Sequence, residues 1–156
     1  MPIRSAGILL HRRAADGVEV LLGHLGGPFW ARKDAGAWSI PKGEYDPDSE
    51  RPQDAAIREF REELGVDPPA LPFVELGEFA YSSGKRVTVF AVDGQDWAPS
   101  PFVFGTFDLE WPPRSGRVQA FPEVDRAEWM PLEAAHPRLP AGQRPALAAL
   151  VARLAA

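Results

Sequence analysis

Apolar and polar positions along the chain fall into short runs divided by turn-forming residues. "RSAGILLHRR" and "VEVLLGHL" are apolar segments separated by "AADG", which predicts a β-hairpin. "GGPFWARKDAG" reads as a loop and "AWSI" as a short strand. The Pro, Gly and Asp residues of "PKGEYDPDSERP" predict irregular chain. A helix is expected from near Pro52, a residue favoured in the first helical position, to Gly65. Ser49 or Asp48 is its expected cap, because Arg51 is indifferent there. "VELGEFAY", "RVTVFAV" and "FVFGTFDLEW" follow as strands, the last with a glycine irregularity. "WPPRSGRVQAFPEVD" reads as a stiff loop, "RAEWMPL" as a short strand and "GQRPALAALVARLAA" as a closing helix. In that helix Leu147, Leu150, Val151 and Leu154 recur at helical spacing and should form one apolar face. Strands interrupted by one helix and closed by another predict an α/β fold, a mixed β-sheet with helices packed on it.

Composition narrows the chemistry. The 156 residues are expected to form a single domain spanning 1–156, and a 45% hydrophobic content can fill its core. A net charge of −5 argues against binding a nucleic acid polymer, which requires a basic footprint. With no cysteine, thiolate chemistry and disulfides are excluded. His11, His24 and His136 are scattered outside any H-E-x-x-H pattern. No run approaches the roughly 18 apolar residues of a membrane span. "MPIRSAGILLHRR" is too short an apolar run for a secretory signal, so a cytoplasmic location is expected.

The segment "IREFREELGV" carries the candidate chemistry. Ile57, Phe60 and Leu64 share one stripe of the predicted helix, while Glu59, Glu62 and Glu63 gather on another side. Exposed like charges at this spacing cost only about 0.2–0.5 kcal/mol per pair, so repulsion alone would allow an ordinary solvated face. Just upstream lies the glycine turn "PKGE". Hard divalent cations bind through a few carboxylates together with substrate phosphates, and a backbone carbonyl from such a turn could complete their site.

"GEYDPDSERPQDAAIREFREELGV", Gly43 to Val66, resembles the signature of the Nudix hydrolases. Glu50 is followed after seven residues by Arg58, Glu59, Phe60, Glu62, Glu63, Gly65 and Val66, as in the family pattern. Six residues separate Gly43 from Glu50 where that pattern has five, and the extra one falls in the Pro/Asp-rich loop.

The resemblance implies a Nudix-type α/β/α sandwich. It also implies Mg²⁺ or Mn²⁺ held by Glu59, Glu62, Glu63 and the Gly43 carbonyl, and a structural pair of Glu50 with Arg58. The implied reaction is hydrolysis of a phosphoanhydride in a nucleoside diphosphate linked to another group, with a small-molecule nucleotide as partner. The general base varies within the family; Glu59, Glu62 and Glu123 are the candidates here, alongside an ordinary loop-acid reading of Glu123. Lys42, Arg32, Lys33 and Arg114 are candidate phosphate contacts, with Arg117, Lys85 and Arg86 as further basic positions. Phe29, Trp30, Trp97 and Trp111 are candidates for stacking on a base, whereas Trp38 and Trp129 are expected in the core. "PKG" also resembles the branch that handles diadenosine polyphosphates and diphosphoinositol polyphosphates. A non-catalytic Nudix module and a pyrophosphatase for oxidised nucleoside triphosphates are the alternatives.

Overall fold

In the computed structural model, which describes residues 2–156, the hairpin is formed by β1 (Arg4–Ala14) and β2 (Gly17–Leu25). The two strands then part. β3 (Trp38–Ser39) continues beside β2, and β4 (Lys42–Glu44) continues beside the first half of β1. β1 also pairs in parallel with β6 (Arg86–Asp93), which pairs antiparallel with β5 (Val74–Ala80). β9 (Val124–Pro131) lies on the other edge of β2. The result is a seven-stranded mixed sheet. β7 (Thr106–Glu110) and β8 (Val118–Pro122) pair only with each other.

Burial follows from the layers. β1 and β6 each hold six consecutive buried residues, as expected for a parallel pair covered on both faces. Ile8, Leu10, Phe90 and Val92 pack under α1 (Pro52–Leu64), which contributes Ala55, Ala56, Phe60 and Leu64. On the other face Leu9, Val89 and Trp38 meet α2 (Leu132–Arg138) and α3 (Arg144–Ala155) through Ala135, Leu147 and Leu150. This is the expected α/β/α sandwich.

Several local expectations change. "PKGE" contributes a strand rather than irregular chain, because the first half of β1 offers it a free edge. The approach is close: a Cβ on Gly7 would lie 2.7 Å from the Pro41 carbonyl oxygen. Only the end of "FVFGTFDLEW" is extended, and the expected loop after it contains β8, for which β7 is the partner. α2 was hidden by its short length and by Pro137 within it. Neither Ser49 nor Asp48 caps α1; Arg51 holds that position without a side-chain bond, and Pro52 removes one of the N–H groups that would need one. On α3, Ala146 faces inward with Leu147 and Leu150, while Val151 is 49% exposed. Trp38 is buried as expected, whereas Trp129 is half-buried beneath the Arg12 guanidinium. Among the described residues no helix is long and apolar enough to cross a membrane.

Candidate active site

The parting of β1 and β2 leaves a cleft of about 510 Å³, and one wall of it comes from β4 and α1. α1 turns Phe60 and Leu64 into the core, which leaves Glu59, Glu62 and Glu63 along the cleft. Gly43 lets the helix approach β4, since a Cβ there would overlap the Glu59 carboxylate. Arg58 stiffens this wall from behind. Its Nε and Nη2 each donate to the Glu50 carboxylate at 2.9 Å. Its Nη1 donates to Glu59 at 2.8 Å and reaches Glu62 at 3.3 Å.

The facing wall is assembled from distant segments. Glu123 stands between β8 and β9 and is held through both backbone groups. Its N–H donates to the Gly105 carbonyl at 2.8 Å, and its carbonyl accepts from the Gly26 N–H at 3.0 Å. Both glycines are sterically required: a Cβ on Gly26 would overlap the Pro122 carbonyl, and one on Gly105 would lie 2.5 Å from the Glu62 carbonyl oxygen. Gly105 also donates to the Glu63 carbonyl at 3.3 Å, using an otherwise orphaned acceptor at the end of α1. Trp30 and Phe107 complete this side.

The carboxylates of the two walls are electrostatically coupled. Burial pushes the Glu63 carboxyl up to about 8; the Lys42 charge opposes this, and Glu123 and Glu59 add to it. Burial likewise raises Glu59, opposed by its bond from Arg58 and reinforced by Glu62 and Glu123. Glu123 is raised by burial and by Glu62. Glu50 moves the other way, held down by its bond from Arg58. Carboxylates that raise one another across a cleft form a site short of positive charge.

A NUDIX domain model matches residues 1–150. The chain belongs to the NUDIX domain family. As an enzyme it falls in the Nudix pyrophosphohydrolase class. Among solved structures it is similar to a C. elegans Ap4A hydrolase binary complex, at 23% identity over 98% of both chains with a TM-score of 0.69. The NUDIX domain of Shewanella oneidensis NrtR, complexed with ADP ribose, shares 15% identity over 99% of this chain and 89% of that one, with a TM-score of 0.64. The MutT protein from Methanosarcina mazei shares 22% over 98% and 96%, with a TM-score of 0.59. At these identities the likenesses establish the Nudix fold. No curated protein matches.

Nudix hydrolases generally need divalent metal ions, and the donors here suit one. Carboxylates and a β4 carbonyl are all oxygen, the preference of a hard cation. Gly43 preserves the cradle in which Glu59 lies. Among the described residues no three acidic or histidine side chains are gathered closely enough to cage an ion as they stand. The Arg58 guanidinium already lies against two of them, Glu59 and Glu62.

The remaining expected residues divide between the cleft and its surroundings. Lys42 lines the cleft, and Lys33 lies beside it, with its ammonium 5.2 Å from the Trp30 ring centre. Arg32 is exposed outside the lining. Arg114 and Arg117 occupy the turn of the β7–β8 hairpin, away from the lining; the Arg114 N–H is bonded to Glu110. Lys85 and Arg86 lie at the β5–β6 turn, where Arg86 pairs with Glu78. Trp97 packs on Phe60 and donates to the Asp67 carbonyl. Phe29 meets Trp111 edge-on at 5.2 Å, so neither stacking candidate lines the cleft. Gly26 and Phe107 were not among the expected site residues, and Gly105 was read only as an irregularity in a strand. "GG" after β2 and the glycine interrupting "FVFGTFDLEW" were the available signals.

Proposed function

We propose that the protein hydrolyses a phosphoanhydride in a nucleoside diphosphate linked to another group, with a dinucleoside polyphosphate as the first substrate class to test. The supporting observation is the convergence of Glu59, Glu62, Glu63 and Glu123 on one cleft. In this reading Glu59, Glu62, Glu63 and the Gly43 carbonyl hold Mg²⁺ or Mn²⁺. When bound, such an ion neutralises charge on the bridging phosphates and helps to supply an activated water. Lys42 takes a phosphate oxygen, and Trp30 with Phe107 receives the base, because aromatic faces accept any nucleobase by stacking.

Glu123 is the preferred general base among the three candidates. Glu59 and Glu62 are engaged by Arg58, while among the described residues Glu123 shows no side-chain hydrogen bond or ion pair. It faces the helix carboxylates from the opposite wall, where it can take the proton of a water placed in line with the leaving phosphate.

Charge favours a dinucleoside polyphosphate over a diphosphoinositol polyphosphate. The lining carries Lys42 against Glu44, Glu59, Glu62, Glu63 and Glu123. A densely phosphorylated ring without a base would meet acidic walls and gain nothing from Trp30 or Phe107. The C. elegans neighbour, whose name gives Ap4A as its substrate, agrees with this direction.

The deciding measurement is product release from dinucleoside polyphosphates, nucleotide sugars, NADH, ADP-ribose, oxidised dGTP and a diphosphoinositol polyphosphate, with Mg²⁺ and with EDTA. Mg²⁺-dependent cleavage of a dinucleoside polyphosphate above the others is expected. Preference for oxidised dGTP would move the enzyme to nucleotide sanitising. Tight nucleotide binding without cleavage would make it a sensing module.

A further inference from the structure

His24 interrupts the apolar run of β2, yet it is fully buried with its ring edge-on to Trp38 at 5.1 Å. A polar ring in that position must satisfy both nitrogens within the protein. Nδ1 lies 2.9 Å from the Asp125 carboxylate, and Nε2 lies 2.7 Å from the Lys33 carbonyl oxygen. These two partners belong to opposite approaches to the cleft.

Asp125 marks an irregularity in β9. His24 is registered with Arg126 and the next residue, Leu25, with Val124, so Asp125 has no partner on β2. An extra residue of this kind bends a strand and re-aims the side chains beside it. Two positions away stands Glu123. Lys33, in turn, belongs to the loop that carries Trp30, and its N–H donates to the Trp30 carbonyl at 2.9 Å. Asp125 also receives Arg126 Nη1 at 3.4 Å, a longer contact from a half-exposed side chain.

We propose that His24 is a positioning residue for the hydrolytic site: through the Asp125 bulge it aims Glu123, and through the Lys33 carbonyl it fixes the Trp30 wall. The inference rests on the hydrolytic reading for its kinetic consequences, while the anchoring itself is a property of the folded chain. Each ring nitrogen serves one function, Nδ1 the base and Nε2 the substrate wall. Removing one bond while keeping the other should therefore separate turnover from binding.

Asparagine places an amide near Nδ1, and glutamine places one near Nε2. His24→Asn keeps the Asp125 bond and should raise KM by about tenfold with a smaller loss of kcat. His24→Gln keeps the Lys33 bond and should lower kcat by about tenfold with a smaller change in KM. Leu150→Val, on the buried face of α3, serves as a control for core destabilisation. Hydrogen exchange in EDTA supplies a readout without catalysis. The Glu123 and Gly26 amides should exchange faster in His24→Gln, and the Lys33 and Ala37 amides faster in His24→Asn. The proposal is overturned if both variants follow the Leu150→Val control in kcat and KM, or if exchange at all four amides stays at the wild-type rate. Should the wild type show no Mg²⁺-dependent cleavage, the hydrolytic reading fails and amide exchange alone decides whether His24 anchors both walls.

Discussion

The two walls of the cleft are built in opposite ways. The wall formed by β4 and α1 comes from one continuous stretch, Gly43 to Leu64, in which helical spacing alone brings the glutamates together. The facing wall draws Gly26 and Trp30 from one loop, Phe107 from β7 and Glu123 from the β8–β9 junction. It is held by backbone hydrogen bonds that only glycine permits at that distance. The acidic surface proposed to hold the metal is thus a local product of a helix, whereas the proposed general base Glu123 and the aromatic residues beside it depend on tertiary assembly. Damage to the first should abolish chemistry at constant fold; damage to the second should lower turnover through Glu123 and weaken binding through Trp30 and Phe107.

The largest effect is expected on the helix wall. Glu62→Gln and Glu63→Gln should each lower kcat by roughly three orders of magnitude, on the order of 4 kcal/mol of barrier, with an unchanged circular dichroism spectrum. Wild-type turnover in either variant would remove the helix from the chemistry. Next comes Gly43→Ala, which displaces Glu59 without adding or deleting a charge. A roughly 10–100-fold weaker Mg²⁺ activation constant is expected, measured by titrating the metal at saturating substrate.

A smaller effect should appear in the stability of the metal-free protein. Folding raises the Glu63 carboxyl from an ordinary 4.5 to about 8. Between those values the folded state keeps a proton that the unfolded state has released. Stability in EDTA should therefore fall as pH rises from about 5 to 8 and level off above that. For a chain of this size each kcal/mol corresponds to about 2–4 °C in Tm. Mg²⁺ should raise Tm most at the upper end of the window, where the carboxylate is charged. Glu63→Gln should flatten the EDTA profile, and an unaltered slope in that variant would assign the dependence to other groups.

The smallest effect concerns the hairpin turn. Arg114→Glu combined with Arg117→Glu should leave KM within about twofold of wild type, since neither side chain lines the cleft. A larger rise would bring that turn into contact with bound substrate and enlarge the assembled wall.

The same contrast sets how much the sequence discloses. Pro52 and Gly65 mark the ends of α1, and the grouping of the three glutamates follows from spacing within one segment, whereas the Arg58–Glu50 pair was legible only through the Nudix resemblance. The first hairpin is equally local, two apolar runs around a turn. By contrast, β4 exists because β1 offers an edge, and β8 because β7 does. Nothing in "KGE" or "VQAFP" by itself supplies those partners. Glu123 could be named as a candidate, but its opposition to α1 depends on contacts to Gly26 and Gly105, which lie in earlier, separate segments of the chain. Trp97 illustrates the converse: an isolated aromatic suggests a ligand platform, while the fold uses it to cover Phe60.

The hairpin of β7 and β8 shares no strand pairing with the large sheet and joins the chain at Gly105 and Glu123, both beside the cleft. Changes along its strands leave every rung of the central ladder untouched while altering the face that Phe107 presents to the cleft. Descendants of such a chain can diversify what they accept without redesigning how they cut.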